Sequence, residues 1–287
     1  MYNKSFLFLL ILHCSGLLIG MENQIISTPE WSLEKIFEGS EWVSSVCIDP
    51  TEKLLGIVFC DRRVHIADFE TGKKIAFSDL SHGITSLCFN HDGKKLAVLS
   101  HKPETCIFNL TKDEKKLTLN QIDSFAHTGA ITSIHFDKCD NLYGVESTEH
   151  DHTVRIINLK TGQKISSFDH NNWVIVTAVS PSKKFLATGS GNSKARLFDM
   201  KQKKEFPSFE LQSSVSALTF DPFEKLLAVA SRDNVVKIFD LATYKEVACL
   251  QHDKLILSMD FAASGNTFVT GSFDGKIRIF SKKEILT

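Results

Sequence analysis

With 287 residues, 43% of them apolar and 22 of them Phe, the chain can bury a large core, either as one β-rich domain or as two smaller units. A formal net charge of −1 gives no global field to steer it to nucleic acid or to repel it from anionic surfaces, so any such preference has to come from local patches. The 7 cysteines form no CxxC pair and no spacing suited to zinc or to a redox dithiol, which excludes those classes.

At the N-terminus, residues 5–20 (SFLFLLILHCSGLLIG) are almost wholly apolar and follow Lys4 and the α-amino group, the build of a secretory signal peptide. The run is short for a spanning helix of about 20 residues; an uncleaved anchor, or a true start at Met21, are the alternatives. Bulky His13 before Cys14 argues against lipid attachment there. The expected organisation is a signal or anchor over 1–20, a linker over 21–30 and a folded domain over 31–287. Export would make the protein secreted, periplasmic or membrane-associated, and a start at Met21 would leave it cytoplasmic.

From residue 43 onward the chain repeats itself. Segments 45–59, 86–100, 133–147, 177–190, 216–231 and 258–272 align, and the apolar residues that open the units are Val43, Ile84, Ile131, Val174, Val215 and Ile256. Their spacings are 41, 47, 43, 41 and 41, a period that fits four short strands per unit. Each unit reads as an alternating stretch (strand a), a polar turn, a second apolar stretch ending in a small or hydroxyl residue (strand b), and a tight turn. Asp suits that last turn, as at Asp61, Asp151, Asp233 and Asp274, because its carboxylate accepts a backbone N–H. Strand c follows as VHIADF, TCIFNL, VRIINL, ARLFDM, VKIFDL and IRIFS, then a further turn and strand d. Residues 31–37 end six residues before Val43, as Phe168 stands six before Val174, so they match a strand d. The last unit stops after strand c. Pairing the N-terminal strand with it completes a sixth sheet and protects both edges.

Over residues 31–287 the chain resembles the WD-repeat family, on the period, the His entering strand a, the turn Asp and the residue pair closing strand c. The usual Trp of that pair is replaced by Ala67, Phe108, Ile157, Phe198, Phe239 and Phe280, and the Asp survives as Asp68, Asp199 and Asp240. These replacements keep an apolar packing role and lose the indole N–H. The resemblance implies an all-β propeller of six four-stranded blades, closed by the N-terminal strand. It also implies protein or peptide partners, no cofactor, and a monomeric propeller working within a complex.

Two sets imitate a hydrolase triad: Ser147, His127 and Asp151, and Ser272, His252 and Asp274. His recurs four residues before the opening residue at His127, His170 and His252, and Ser sixteen after it in five units. Catalysis needs one supported site, whereas a set repeated around a ring belongs to the blade. In the family such residues form a buried structural network, expected here as His127 with Asp151, His170 with Asn192, and His252 with Asp274. His135 and Asp260 share a register in strand a on opposite sides of the ring and read as polar channel-lining residues. No catalytic or metal-binding set is expected, and the Gly189-Ser190 and Gly271-Ser272 pairs give no phosphate loop.

The a–b and c–d turns gather most of the lysines, leaving that face basic and the opposite one acidic. Either the lysines keep turns soluble, or the basic face meets an anionic surface such as lipid or an acidic partner. On the face of d–a and b–c loops, exposed aromatics and arginines are candidate partner-binding residues: Trp42 and Trp173, with Arg62, Arg63, His152, Arg232 and Phe273. The expected function is a non-catalytic interaction scaffold. The alternative is an exported propeller enzyme or a small-ligand or carbohydrate binder using the channel mouth.

Overall fold

A sequence of six-residue alternating stretches cannot bury its apolar side chains within one hairpin, so each unit folds as a small sheet whose two faces are covered by the sheets beside it. The computed structural model describes residues 31–39, 41–80, 82–112, 116–127, 130–137, 139–147, 153–170 and 172–283. β1 is Trp31–Glu38. Blade 1 is β2–β5 (Val43–Ile48, Leu54–Phe59, Arg63–Asp68, Lys74–Asp79), and blade 2 is β6–β9 (Ile84–Phe89, Lys95–Ser100, Glu104–Lys112, Leu117–Ala126). Blade 3 is β10–β13 (Ile131–Phe136, Leu142–Ser147, Thr153–Asn158, Lys164–Asp169). Blade 4 is β14–β18 (Val174–Val179, Phe185–Ser190, Lys194–Asp199, Lys204–Glu205, Phe209–Glu210). Blade 5 is β19–β22 (Val215–Phe220, Leu226–Ser231, Val235–Asp240, Glu246–Gln251), and blade 6 is completed by β23–β25 (Ile256–Phe261, Thr267–Ser272, Lys276–Lys282).

The six sheets are antiparallel, and the last has the order β1-β25-β24-β23, so the N-terminal strand is the outer strand of the C-terminal blade. Two departures from a uniform blade have local causes. Pro207 has no N–H to donate, and the outer strand of blade 4 is split around it into β17 and β18, a break tolerated because that strand is an edge. The long spacing between the first residues of blades 2 and 3 is taken up by β8 and β9, a hairpin of 9 and 10 residues.

The core lies between blades. Val43, Ile57 and Ala67 of blade 1 pack with Val269, Ile277 and Ile279 of blade 6, all buried. Trp31, Met259, Phe268 and Phe280 of blade 6 pack with Val236 and Ile238 of blade 5. At two of the contacts between blades the second strand carries glycine. A Cβ at Gly189 would meet Val215 of the next blade at 2.4 Å, and one at Gly271 would meet Val43 at 2.6 Å. The Gly-Ser pairs are therefore steric relief under the first residue of the following blade.

A second tie runs along the a–b turns. Each turn closes on a residue in the left-handed region: Glu52, Gly93, Asp140, Lys183, Glu224 and Gly265, with φ between 57° and 71°. The four with polar side chains reach back to the preceding blade. Glu52 accepts from Ser264 N at 2.7 Å, and Glu224 from Ser182 N at 2.6 Å and Oγ at 2.8 Å. Asp140 accepts from Asn90 Nδ2 and Lys95 Nζ, both at 2.9 Å, and Lys183 Nζ donates to Asp137 at 2.6 Å and to Tyr143 at 2.9 Å. Burial opposes ionisation of Asp137, but hydrogen bonds from the Lys183 ammonium, the Asn141 side chain and the backbone N–H groups of Asn141 and Cys139 together override it and hold the carboxyl well below the usual range.

Trp31 is the residue on which closure can be tested, because its buried ring packs against Phe261 and Phe268 with centroids 5.7 and 6.1 Å away while its indole nitrogen has no hydrogen-bond partner. Trp31→Ala is expected to cost about 3–5 kcal/mol in urea unfolding, the range for a truncated core aromatic. Trp31→Phe, which keeps the ring and gives up an unused donor, is expected to cost clearly less.

Candidate functional site

The d–a loops and b–c turns make one end of the ring. The loop between β1 and β2 is tied to the β24–β25 turn by Gly39 N donating to Gly275 O at 2.8 Å. Gly275 has φ +77°, and a Cβ there would meet Glu41 O at 2.9 Å and Gly39 O at 3.2 Å, so this close passage requires glycine. The passage sets Trp42 beside Phe273, with ring centroids 4.4 Å apart and tilted by 56°. Both remain open to solvent, at 38% and 47% exposure, against a pocket of about 430 Å³ that Glu41 and Cys60 help to line.

The other expected partner-binding residues do not join this pair. Trp173 is 47% exposed in the β13–β14 loop, three blades away on the opposite side of the ring. Arg62 is exposed at the left-handed corner of its turn, φ 59°. Arg63 is drawn to the rim of blade 1, where Nε donates to Asp79 at 2.5 Å and the guanidinium lies 5.5 Å from the Phe77 ring centroid. Arg232 is exposed in the β20–β21 turn, its N–H bonded to Ser214 O at 2.9 Å. His152 lies outside the described residues, as does Asp151, the expected partner of His127.

The His and Asp positions are arranged differently from the pairs expected for them. His252 Nδ1 donates to Leu250 O at 3.4 Å, which leaves Nε2 to accept from Thr270 Oγ1 at 2.8 Å. Asp274 is held instead by Arg278, whose two terminal nitrogens donate to it at 2.6 and 3.3 Å and to Ser272 and Asp253 at 3.2 and 2.7 Å. Ser272 also donates to Asp274. His170 Nδ1 accepts from Arg196 at 3.1 Å, and Asn192 is bonded by Ser190. In both blades an arginine of strand c takes one member of the expected pair, Arg196 the histidine and Arg278 the carboxylate. The rings at the usual Trp place still pack on the histidines, Phe198 5.2 Å from His170 and Phe280 5.6 Å from His252.

That arginine belongs to a series. The third residue of strand c is His65, Arg155, Arg196, Lys237 or Arg278 in five blades, and each faces a carboxylate. The pairs are Asp61 at 2.7 Å, Glu146 at 3.9 Å, Glu205 at 2.5 Å, Glu246 at 2.8 Å and Asp274 at 2.6 Å. The recurring VHI, VRI, ARL, VKI and IRI triplets were the available signal for it.

The axial channel, about 500 Å³, is lined by inner-strand residues including Ser86, Ser133, Thr177 and Ser258. His135 Nε2 bonds Ser133 at 3.0 Å, and Asp260 accepts Ile48 N of the neighbouring blade at 2.9 Å. Burial pushes His135 down to about 4 and Asp260 up to about 7, so both favour their neutral forms. Standing on blades 3 and 6, they do not meet as an acid–base pair.

A comparison with protein families matches residues 162–199, 202–240 and 244–281 to the WD domain, G-beta repeat. Each match runs from the outer strand of one blade through the first three of the next, the same offset that leaves β1 to finish blade 6. Comparison with curated proteins gives no match.

The buried histidines make stability depend on pH. His135 is lowered to about 4 by burial, and His170 and His252 to about 4 by burial first and then by the adjacent arginine. Between about pH 6.5 and 4 the unfolded chain binds protons that these three refuse in the fold, so stability falls on acidification through that window. Asp260 works in the opposite sense, since its raised value favours the fold at low pH and that contribution is lost as pH rises toward 7. With three groups against one, the urea midpoint is expected to drop from pH 7 to pH 4.5. His252→Gln, which keeps a partner for Thr270, is expected to flatten the slope.

Proposed function

We propose that this WD-repeat propeller is a non-catalytic scaffold that holds protein or peptide partners on its d–a and b–c loop face. The observation that carries the reading is the Trp42–Phe273 pair, two large rings in mutual contact and left half-exposed beside a pocket. Exposed aromatics next to a concavity are what interfaces use as anchors. Polar side chains that resemble catalytic sets are engaged in blade architecture: Asp274 with Arg278, Ser190 with Asn192, His252 with Thr270. Trp173 and Arg232 extend the same face around the ring, giving a partner more than one point of attachment.

The opposite, lysine-rich face supports a second attachment, to an anionic surface. Phe223 is 60% exposed there at the tip of the β19–β20 turn, beside Lys225. An apolar ring among cations is a combination suited to the headgroup region of a lipid bilayer.

Trp42→Ala and Phe273→Ala, each half-exposed in the native protein, are expected to abolish capture of partners by the tagged chain with little change in its urea midpoint; loss of the fold instead would make the pair structural. Binding to vesicles containing anionic lipid is expected to fall steeply from low to high salt and to weaken further in Phe223→Ala. Salt-independent binding would rule out the electrostatic attachment.

A further inference from the structure

We propose that the Trp42–Phe273 pocket takes a cationic side chain, the guanidinium or ammonium of a basic segment of the partner; this rests on the reading of the loop face as a protein-binding surface. The rings are tilted by 56° with centroids 4.4 Å apart, so they form a corner and not a closed stack, and both line the pocket while half-exposed. A cation over an aromatic face is attracted by the ring quadrupole, which repels an anion. The charges around the corner select in the same direction. Arg278 is the buried cation behind the pocket, and it is bound by two carboxylates, Asp274 at 2.6 Å and Asp253 at 2.7 Å. Glu41 and Asp274 are the charged residues that line the pocket, and with Asp274 paired to Arg278, Glu41 leaves the wall acidic. Arg62, two residues beyond Cys60, does not bound the pocket.

The floor adds acceptors. Gly275 has no side chain to cover it, and the carbonyls of Gly39 and Glu41 turn toward it at distances a Cβ could not share. An apolar occupant would desolvate the Glu41 carboxylate without pairing it, and an anion would meet the acidic wall. A guanidinium or ammonium supplies donors to the carbonyls, a counter-charge to Glu41 and a partner for both rings. About 430 Å³ holds more than one such head group, so the side chain enters with its flanking backbone.

Short peptides of constant Gly/Ser sequence with a single central Arg, Lys, Leu or Glu test this on the full chain. Two readouts report the pocket itself. In Trp173→Phe, emission from Trp42 is read against the buried Trp31. In Cys139→Ser, alkylation of exposed Cys60 is mapped by mass spectrometry. The Arg and Lys peptides are expected to change Trp42 emission saturably and to slow Cys60 alkylation at least about threefold, with Glu41→Gln weakening both peptides by about three- to tenfold. Equal binding of the Leu peptide, or no response to any peptide, overturns the assignment. The two readings fail separately. If the peptides are silent while Trp42→Ala still abolishes partner capture, the cation site is wrong and the scaffold stands. If Arg and Lys peptides bind but the chain retains no partner, the scaffold is wrong and the site stands.

Discussion

The pairing of β1 with β25 is the constraint on which the ring depends. Blade 6 has three strands from the C-terminus and draws its fourth from the N-terminus, so neither end of the chain is satisfied until both have met. Without β1, the outer edge of β25 and the apolar surface under Trp31 would face water, and the tight passage of Gly39 against Gly275 would have nothing to hold it. Long-range pairing of this kind carries a loop-closure cost that only the completed interblade core offsets. Each fully buried Val, Leu or Ile contributes about 1.5–3 kcal/mol, and Val43, Ile57, Val269, Ile277 and Ile279 are buried in the cluster that forms where blades 1 and 6 meet.

Closure also assigns work to the turns. On one face the left-handed corner of each a–b turn reaches back to its neighbour, and blades without a polar residue there have Gly93 or Gly265. The strand-c bases hold carboxylates of the adjoining strand or turn, and on the other face Arg278, 5% exposed, ties Asp253 and Asp274 together. A buried cation of this kind is costly unless its carboxylates stay in place, so it fixes the conformation of the turn that carries Phe273. Rigid turns are what allow an exposed ring to hold its position with little ordering cost on binding.

Much of this was legible in the sequence, because a propeller repeats one pattern and the pattern is hydrophobic. The six opening residues, the strands and the closing role of residues 31–37 all follow from alternation and spacing. The network details were not, since they depend on which of several polar side chains wins a shared partner. His252 and Asp274 stand at the expected places, yet Arg278 takes the carboxylate, and no spacing rule ranks a guanidinium against an imidazole. The Trp42–Phe273 contact was unreadable for a different reason. Both residues were expected on the loop face, but their contact joins opposite ends of the chain and exists only through closure. Trp173, chosen by the same rule as Trp42, stands across the axis from that pair, and the β11–β12 turn beside it lies outside the described residues.

The location of the aromatic pocket has a thermodynamic consequence. Trp42 lies in the loop that leaves β1, and Phe273 in the turn between β24 and β25, so a ligand touching both bridges the seam where the ring is closed. Such a ligand binds the closed ring and has no equivalent site on an opened one, so by linkage its binding free energy is added to closure in proportion to the logarithm of its concentration over Kd. The reciprocal holds as well. Anything that loosens the β1–β25 pairing weakens binding by the fraction of rings left open, without altering a contact in the pocket. On the proposed reading, seam and aromatic pocket are therefore energetically one element, and a partner held there would also clamp the fold.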